Sequence, residues 1–149
     1  EVKRKLGADF RFIEAAMDIN RSMPNYVVSR VQELLNKQGK PLKGAKVLLL
    51  GMTYKPDIAD LRESPSLEIF EILLDEQAEV SFFDPHATSL RAAGSVHETV
   101  GDLEASLAEA DVAILLQAHK AFDLDKIAAG TKVLFDTRGV ATGASVVRL

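Results

Sequence analysis

The run Lys46–Pro65 (KVLLLGMTYKPDIADLRESP) restricts the fold more than any other part of the chain. Val47–Leu50 is unbroken and apolar, the pattern of a strand covered on both faces. Gly51 follows at once, and glycine reaches backbone angles closed to other residues, so the chain can turn sharply there. A polar segment then leads to Ser64-Pro65, where a new apolar periodicity begins. A serine hydroxyl suits an N-cap. Proline suits the first helical position, where its missing N–H goes unused. The run therefore reads as strand, long loop, helix. In an open α/β sheet such a loop sits at the carboxyl edge of the strands, where ligands bind. Here it carries Lys55 and Arg62, two cations able to hold an anion.

The same alternation continues downstream. Helix 65–76 is followed by a strand over 79–83 that ends at Asp84-Pro85-His86. Asp102 has the look of a cap for a short helix to Glu109, and Asp111–Leu116 reads as a third buried strand. A helix near 124–129 stops at Gly130, and Lys132–Phe135 is a fourth strand, ending at Asp136-Thr137-Arg138-Gly139. A further short strand fits near Val96. Strand–helix alternation predicts an α/β fold: a Rossmann-like, three-layer parallel sheet of at least four strands over 46–138, with helices on both faces. The segment after Gly139 is small and polar and carries no clear pattern.

Upstream, residues 8–37 have helical spacing, with Phe12, Ala15, Ala16 and Ile19 in one half and Val27, Val31, Leu34 and Leu35 in the other. Pro24 divides them, so either two helices meet there, capped by Asn20 or Ser22, or one long helix kinks. Gly39–Gly44 is a loop. The expected organisation is a helical region over 1–38 and an α/β domain over 46–149.

Composition removes several function classes. The formal net charge of −4 argues against a general nucleic-acid binder, which needs a basic surface. No apolar run is long enough for a membrane span, and the first residues lack the apolar core of a signal peptide, so a cytoplasmic protein is expected. There is no cysteine, which excludes disulfides and thiol catalysis within these residues. The chain opens on Glu rather than Met, as a piece of a longer protein would.

The candidate site residues divide by context. Lys55 offers a point charge and Arg62 a planar fork, which suit different parts of a phosphorylated ligand. The dinucleotide fingerprint G-x-G-x-x-G is absent, because the first turn reads G-M-T-Y-K-P. Asp84 resembles the acidic residue that holds a ribose in that fingerprint, but without the glycines it reads as a turn cap with Pro85. Asp136 and Arg138 end the fourth strand at the same edge, either as a local turn or with Arg138 facing the cleft of Lys55. His86, His97 and His119 are far apart in sequence and lack ligand spacing, so no metal site is expected.

The motifs LLGMTYKPDIADLRESP, then a helix, then FFDPHA, resemble the C-terminal domain of the UDP-glucose/GDP-mannose dehydrogenase family. Gly51, Tyr54, Lys55, Asp57, Asp60, Arg62, Glu63, Ser64, Pro65, Asp84 and Pro85 fall in that family's order, and Phe135, Asp136 and Arg138 match its F-D-x-R. FIEAAMDINRSMPNYVVSRV is similar to its central helix. Tyr-Lys-Pro and Ser-Pro-Ser resemble the bacterial UDP-N-acetyl-hexosamine 6-dehydrogenases more than the animal enzymes. The resemblance implies an NAD-dependent enzyme that oxidises the C6 hydroxyl of a UDP-sugar (UDP-glucose or a UDP-N-acetyl-hexosamine) to the uronate. It places the catalytic cysteine and the main NAD site upstream of these residues, in an N-terminal Rossmann domain and a G-G-x-C-x-P-x-D motif, and leaves this segment with no catalytic residue of its own. It assigns Tyr54 and Lys55 to the nucleotide sugar, Arg138 to its phosphates and Arg62 to NAD. It also implies a homodimer through the central helix, consistent with residues 8–37 being apolar on more than one face. The second reading is a stand-alone, non-catalytic α/β module that binds anions or nucleotides; an upstream GxGxxG and GGxCxP would separate the two.

Overall fold

The computed structural model describes residues 2–149, with side chains from residue 10 onward; Glu1 lies outside the described residues. The chain begins with helix α1 (Val2–Lys37), then strand β1 (Lys46–Leu50), helix α2 (Pro65–Asp75) and strand β2 (Glu79–Phe83). Strands β3 (Ser89–Ala92) and β4 (Ser95–Glu98) follow, then α3 (Leu103–Glu109), β5 (Val112–Leu115), α4 (Leu124–Gly130), β6 (Leu134–Asp136) and β7 (Val146–Arg148). Five strands form one sheet in the order β2-β1-β5-β6-β7, and every pair in it is parallel. The Rossmann-like α/β expectation holds. The sheet gains β7 from the segment that carried no pattern. The strand expected near Val96 is real but lies outside the main sheet, in an antiparallel hairpin with β3.

The apolar run of β1 has the expected cause. Val47 and Leu49 face one cluster with Phe70 and Leu73 of α2 and Val31 and Leu35 of α1. Leu48 and Leu50 face another with Leu107 of α3 and Ile127 of α4. Val47, Leu48, Leu49 and Leu50 are all fully buried, so both faces of the strand are interior. Burying each such side chain contributes about 1.5–3 kcal/mol. Phe70 and Phe82 meet edge-on at 6.2 Å between α2 and β2. Side-chain caps start the helices, as read for Ser64 and Asp102. Ser64 Oγ accepts from the Ser66 amide at 3.3 Å, Asp102 from Ala105 at 3.0 Å and Asp123 from Lys126 at 3.1 Å.

α1 is one helix through Pro24, not two, and neither Asn20 nor Ser22 caps a second one. Ser22 Oγ instead donates to the Ile19 carbonyl at 2.7 Å. Pro24 stands where the helix meets the domain. Residues 10–22 are exposed, while Val27, Val28, Val31, Leu34 and Leu35 enter the core.

At the amino edge of the sheet, buried Asp111 gathers three donors. It pairs with Lys40, accepts the Lys46 amide at 3.1 Å and lies 3.4 Å from Lys132 Nζ. Burial pushes its pKa up, but the hydrogen bonds from Lys40 and from the Lys46 amide outweigh that and leave it below the ordinary value. At the opposite edge Gly51 has φ +79°, and a Cβ there would lie 2.3 Å from the Gln117 carbonyl oxygen.

Two outcomes follow from these edges. Gly51→Ala meets both a left-handed backbone and a backbone overlap, so it should destabilise by roughly 2–5 kcal/mol in urea denaturation; a change under about 0.5 kcal/mol, the usual range for a neutral surface substitution, would contradict this packing. Asp111→Asn should cost about 1–3 kcal/mol at pH 7. Because the folded pKa is depressed, the carboxylate's contribution is complete above the unfolded value of about 3.9. It is lost as pH falls through the lower folded value, so the two proteins should converge in strong acid. A gap that widens on acidification would reverse the sign.

Candidate functional site

Parallel register brings the carboxyl ends of four strands into line: Leu50 pairs with Phe83 and Leu115, and Leu115 with Asp136. The segments that follow them therefore share one edge. The long loop after β1 is fixed there by buried groups. Asp84 Oδ2 accepts the amides of Met52 at 2.6 Å and Thr53 at 3.1 Å, while its Oδ1 accepts the His86 amide at 2.7 Å. Asp84 is thus a turn cap, as read, and also a tie to the end of β1.

His119 follows β5 and is fully buried at its side chain. Its Nδ1 accepts the Asp57 amide at 2.9 Å, and its Nε2 lies 3.1 Å from Asp84 Oδ2. An acceptor at Nδ1 leaves the ring proton on Nε2, where it donates to Asp84. Neighbouring contacts complete the hold. Gln117 Nε2 donates to the Tyr54 carbonyl at 3.0 Å, Thr53 Oγ1 donates to the Lys55 carbonyl at 3.0 Å, and Asp57 Oδ1 accepts the Lys120 amide at 2.9 Å. Ser64 Oγ donates to the Met52 carbonyl at 2.8 Å, tying α2 to the start of the loop. Asp57 and Glu63 sit at φ 60° and 58°, a left-handed conformation that such ties can hold in non-glycine residues.

The exposed face of the loop carries the expected side chains. Tyr54, Lys55, Ile58, Asp60, Arg62 and Glu63 line a cavity of about 440 Å³. Arg62 grips Asp60 bidentately, through Nε at 3.0 Å and a terminal nitrogen at 2.9 Å. Hydrogen bonds from the Arg62 side chain, and then from its amide, hold the Asp60 carboxyl down at about 2. The same pairing raises the Arg62 pKa. With 88% of its side chain exposed, the fork keeps further donors for an anion.

Arg138 stands apart. Asp136 accepts the amides of Arg138 at 2.8 Å, Gly139 at 2.9 Å and Ala141 at 2.7 Å, so the end of β6 is a capped turn. The exposed Arg138 side chain lines a groove of about 170 Å³ with Pro24 and Val27 of α1, Pro65 and Ile69 of α2, and Leu149. It does not share a cavity with Lys55. β5 lies between their two strands, a spacing of roughly 10 Å.

The view of three scattered histidines is corrected for two of them. His86 and His119 meet edge-on at 4.9 Å, and with Asp57 they gather three potential ligand atoms within 4.8 Å of one another. The His119 lone pair is already taken by the Asp57 amide, so the set as it stands is a hydrogen-bonded hinge for the loop. His97 packs elsewhere, 4.9 Å from Phe70. Gln117 and His119 were missed by sequence reasoning. The available signal was QAH directly after the strand DVAILL, at the same edge as the cationic loop.

Residues 48–143 match the model of the UDP-glucose/GDP-mannose dehydrogenase family, UDP binding domain. The chain is 36% identical over 138 residues to the UDP-N-acetyl-D-mannosamine dehydrogenase of Methanococcus maripaludis, covering 87% of this chain and 30% of that protein. It is 34% identical to the NDP-N-acetyl-D-galactosaminuronic acid dehydrogenase of Ralstonia nicotianae, with the same coverage of 87% and 30%. Among solved structures, the UDP-N-acetyl-mannosamine dehydrogenase of Staphylococcus aureus superposes with a TM-score of 0.68 at 32% identity, over 88% of this chain and 31% of that one. The chain thus spans about a third of the length of these relatives. The family match runs from Leu48 of β1 through the Tyr54–Ser64 loop to beyond the Asp136–Arg138 turn, and the chain belongs to the UDP-glucose/GDP-mannose dehydrogenase family, as its UDP-binding domain.

Proposed function

We propose that this chain is the UDP-sugar-binding, C-terminal part of an NAD-dependent nucleotide-sugar 6-dehydrogenase acting on a UDP-N-acetyl-hexosamine or UDP-glucose. Residues 1–38 serve as its central helix and 46–149 as the binding domain. The observation that carries the reading is the loop after β1, which presents Tyr54, Lys55 and Arg62 on one open cavity while buried groups fix its backbone. The names of the relatives favour the N-acetyl-hexosamine.

The roles follow from chemistry. Lys55 is a point charge at the strand edge and suits one phosphate of the diphosphate linker, whose two negative charges call for a second cation. Arg138, two strands across, supplies it and can grip the linker bidentately once the substrate bridges the two cavities. Tyr54 is half-exposed, at 53%, and offers a ring face and a hydroxyl to the nucleotide sugar. Arg62 faces outward, towards the remainder of the enzyme, where its spare donors suit the NAD pyrophosphate. NAD, when bound, would supply the acceptor for the hydride that leaves the sugar carbon. With no thiol in the chain, the covalent step belongs to the rest of the protein, and these residues bind and orient. Phe10, Phe12, Ile13, Met17 and Ile19 are exposed on α1, and a second copy of that helix would cover one face of it in a homodimer. Sedimentation of the full-length enzyme should show that dimer, and a monomer at high concentration would dismiss it.

Steady-state kinetics of the full-length enzyme test the site. Lys55→Ala and Arg138→Ala should each raise KM for the UDP-sugar by roughly tenfold to a hundredfold, the loss of one charge-assisted contact of about 1.5–3 kcal/mol. Arg62→Ala should act on KM for NAD instead. The 149-residue chain alone should form no NADH from UDP-sugars. Unchanged UDP-sugar kinetics in Lys55→Ala would remove the loop from the substrate site, and NADH formation by the chain alone would overturn the division of roles.

A further inference from the structure

We propose that His119 is a positioning residue for nucleotide-sugar binding: held as the neutral Nε2–H tautomer between Asp84 and the Asp57 amide, it sets the backbone from which Tyr54 and Lys55 project. This inference rests on the assignment of that loop to the substrate.

The geometry is one-sided. The Asp57 amide points its hydrogen at Nδ1 from 2.9 Å, so Nδ1 must be an acceptor. Asp84 Oδ2 stands 3.1 Å from Nε2 and already accepts two amides from the end of β1, so Nε2 must be the donor. Only one tautomer satisfies both. The ring thereby links two points of the loop, residues 52–53 through Asp84 and residue 57 directly, and Tyr54 and Lys55 lie between them. Phe122 closes the site at 5.3 Å, and the side chain is fully buried, so water cannot replace either partner without opening the fold.

A proton on Nδ1 would set two donors head to head across the Asp57 contact. The charged and titratable groups that face the ring are Asp84 and His86 from the segment after β2, Asp57 from the loop after β1, and Lys120 beside it in sequence. Moving the ring proton from Nε2 to Nδ1 would also leave Asp84 Oδ2 facing a bare nitrogen lone pair, so the Nδ1–H tautomer loses both contacts. His86 Nε2 lies 3.7 Å from Asp57 Oδ1, beside the same loop residue.

Three measurements test this together. Long-range 1H–15N correlation on the 149-residue chain should show His119 with its proton on Nε2 near pH 7; an Nδ1–H tautomer overturns the proposal without any variant. In the full-length enzyme, His119→Gln keeps a donor for Asp84 but loses the acceptor for the Asp57 amide, and should raise KM for the UDP-sugar about tenfold with kcat within about twofold. His119→Asn keeps an acceptor at the Nδ1 position. It should recover part of the affinity. If Gln and Asn behave alike, His119 does not act through the Asp57 contact. If His119→Gln fails to fold, the tautomer and the KM of the Asn variant still decide. Lys55→Ala serves as the control for the underlying assignment. If it weakens UDP-sugar binding while the His119 variants do not, the positioning role alone falls; if it too leaves binding unchanged, the assignment of the loop falls with it.

Discussion

The carboxyl edge of this domain depends on a buried carboxylate that no lysine or arginine neutralises among the described residues. Asp84 is 2% exposed, and its two oxygens accept three backbone amides and the His119 ring. A charge taken out of water costs several kcal/mol unless hydrogen bonds replace its hydration. Charge-assisted bonds of about 1.5–3 kcal/mol each can offset that cost when several converge. They do so here because β1 and β2 are parallel neighbours in register, which sets the amides after Leu50 beside the residue after Phe83. Asp136 repeats the device one step past β5, accepting three amides of its own turn. In both cases an aspartate at the end of a strand folds the following chain back sharply. The cationic side chains are thereby left free to point outward.

That arrangement explains why so much of the fold was legible. Strands buried on both faces must be apolar along their buried length, and Val47–Leu50 of β1 and all of β5 are, so the apolar runs announced them. Ser64 and Asp102 each stand before a helix and each makes the predicted cap. What escaped had no such local cause. β7 is three residues long and exists through pairing with β6, a contact that propensity cannot report. The β3–β4 hairpin turns on Ala93 and Gly94, both at positive φ, at 48° and 77°. A two-residue turn of that kind favours Asn or Asp before the glycine, and alanine hides the signal. Pro24 sits inside a single helix because its missing N–H falls where the helix passes from exposed to packed, and burial of the following turns holds the helix through the gap.

The site was legible to the same limit. Tyr54, Lys55 and Arg62 could be chosen because their loop adjoins a recognisable strand. The groups that hold the loop could not. Gln117 and His119 reach Tyr54 and Asp57 across more than 60 residues of sequence, and only the adjacency of β1 and β5 brings them there. Gly51 shows how close that approach is, since the Gln117 carbonyl occupies the place of its missing Cβ. Arg138 was read correctly to the edge but not into the cavity of Lys55, because strand order, unknown from sequence, sets β5 between them.

The long helix poses the remaining physical question. Its second half is part of the core, whereas its first half leaves Phe10, Phe12, Ile13, Met17 and Ile19 in solvent. A helical stretch exposed at every described residue from Phe10 to Ser22 is stabilised mainly by its own hydrogen bonds and is marginal in water. The exposed apolar side chains lie on two opposite faces, not along one stripe: positions 10, 13 and 17 recur at helical spacing, and 12 and 19 fall on the other side. One partner helix covers one stripe, so two exposed faces are more than one neighbouring helix can bury. Pro24 marks the point at which the exposed half of the helix leaves the packed domain.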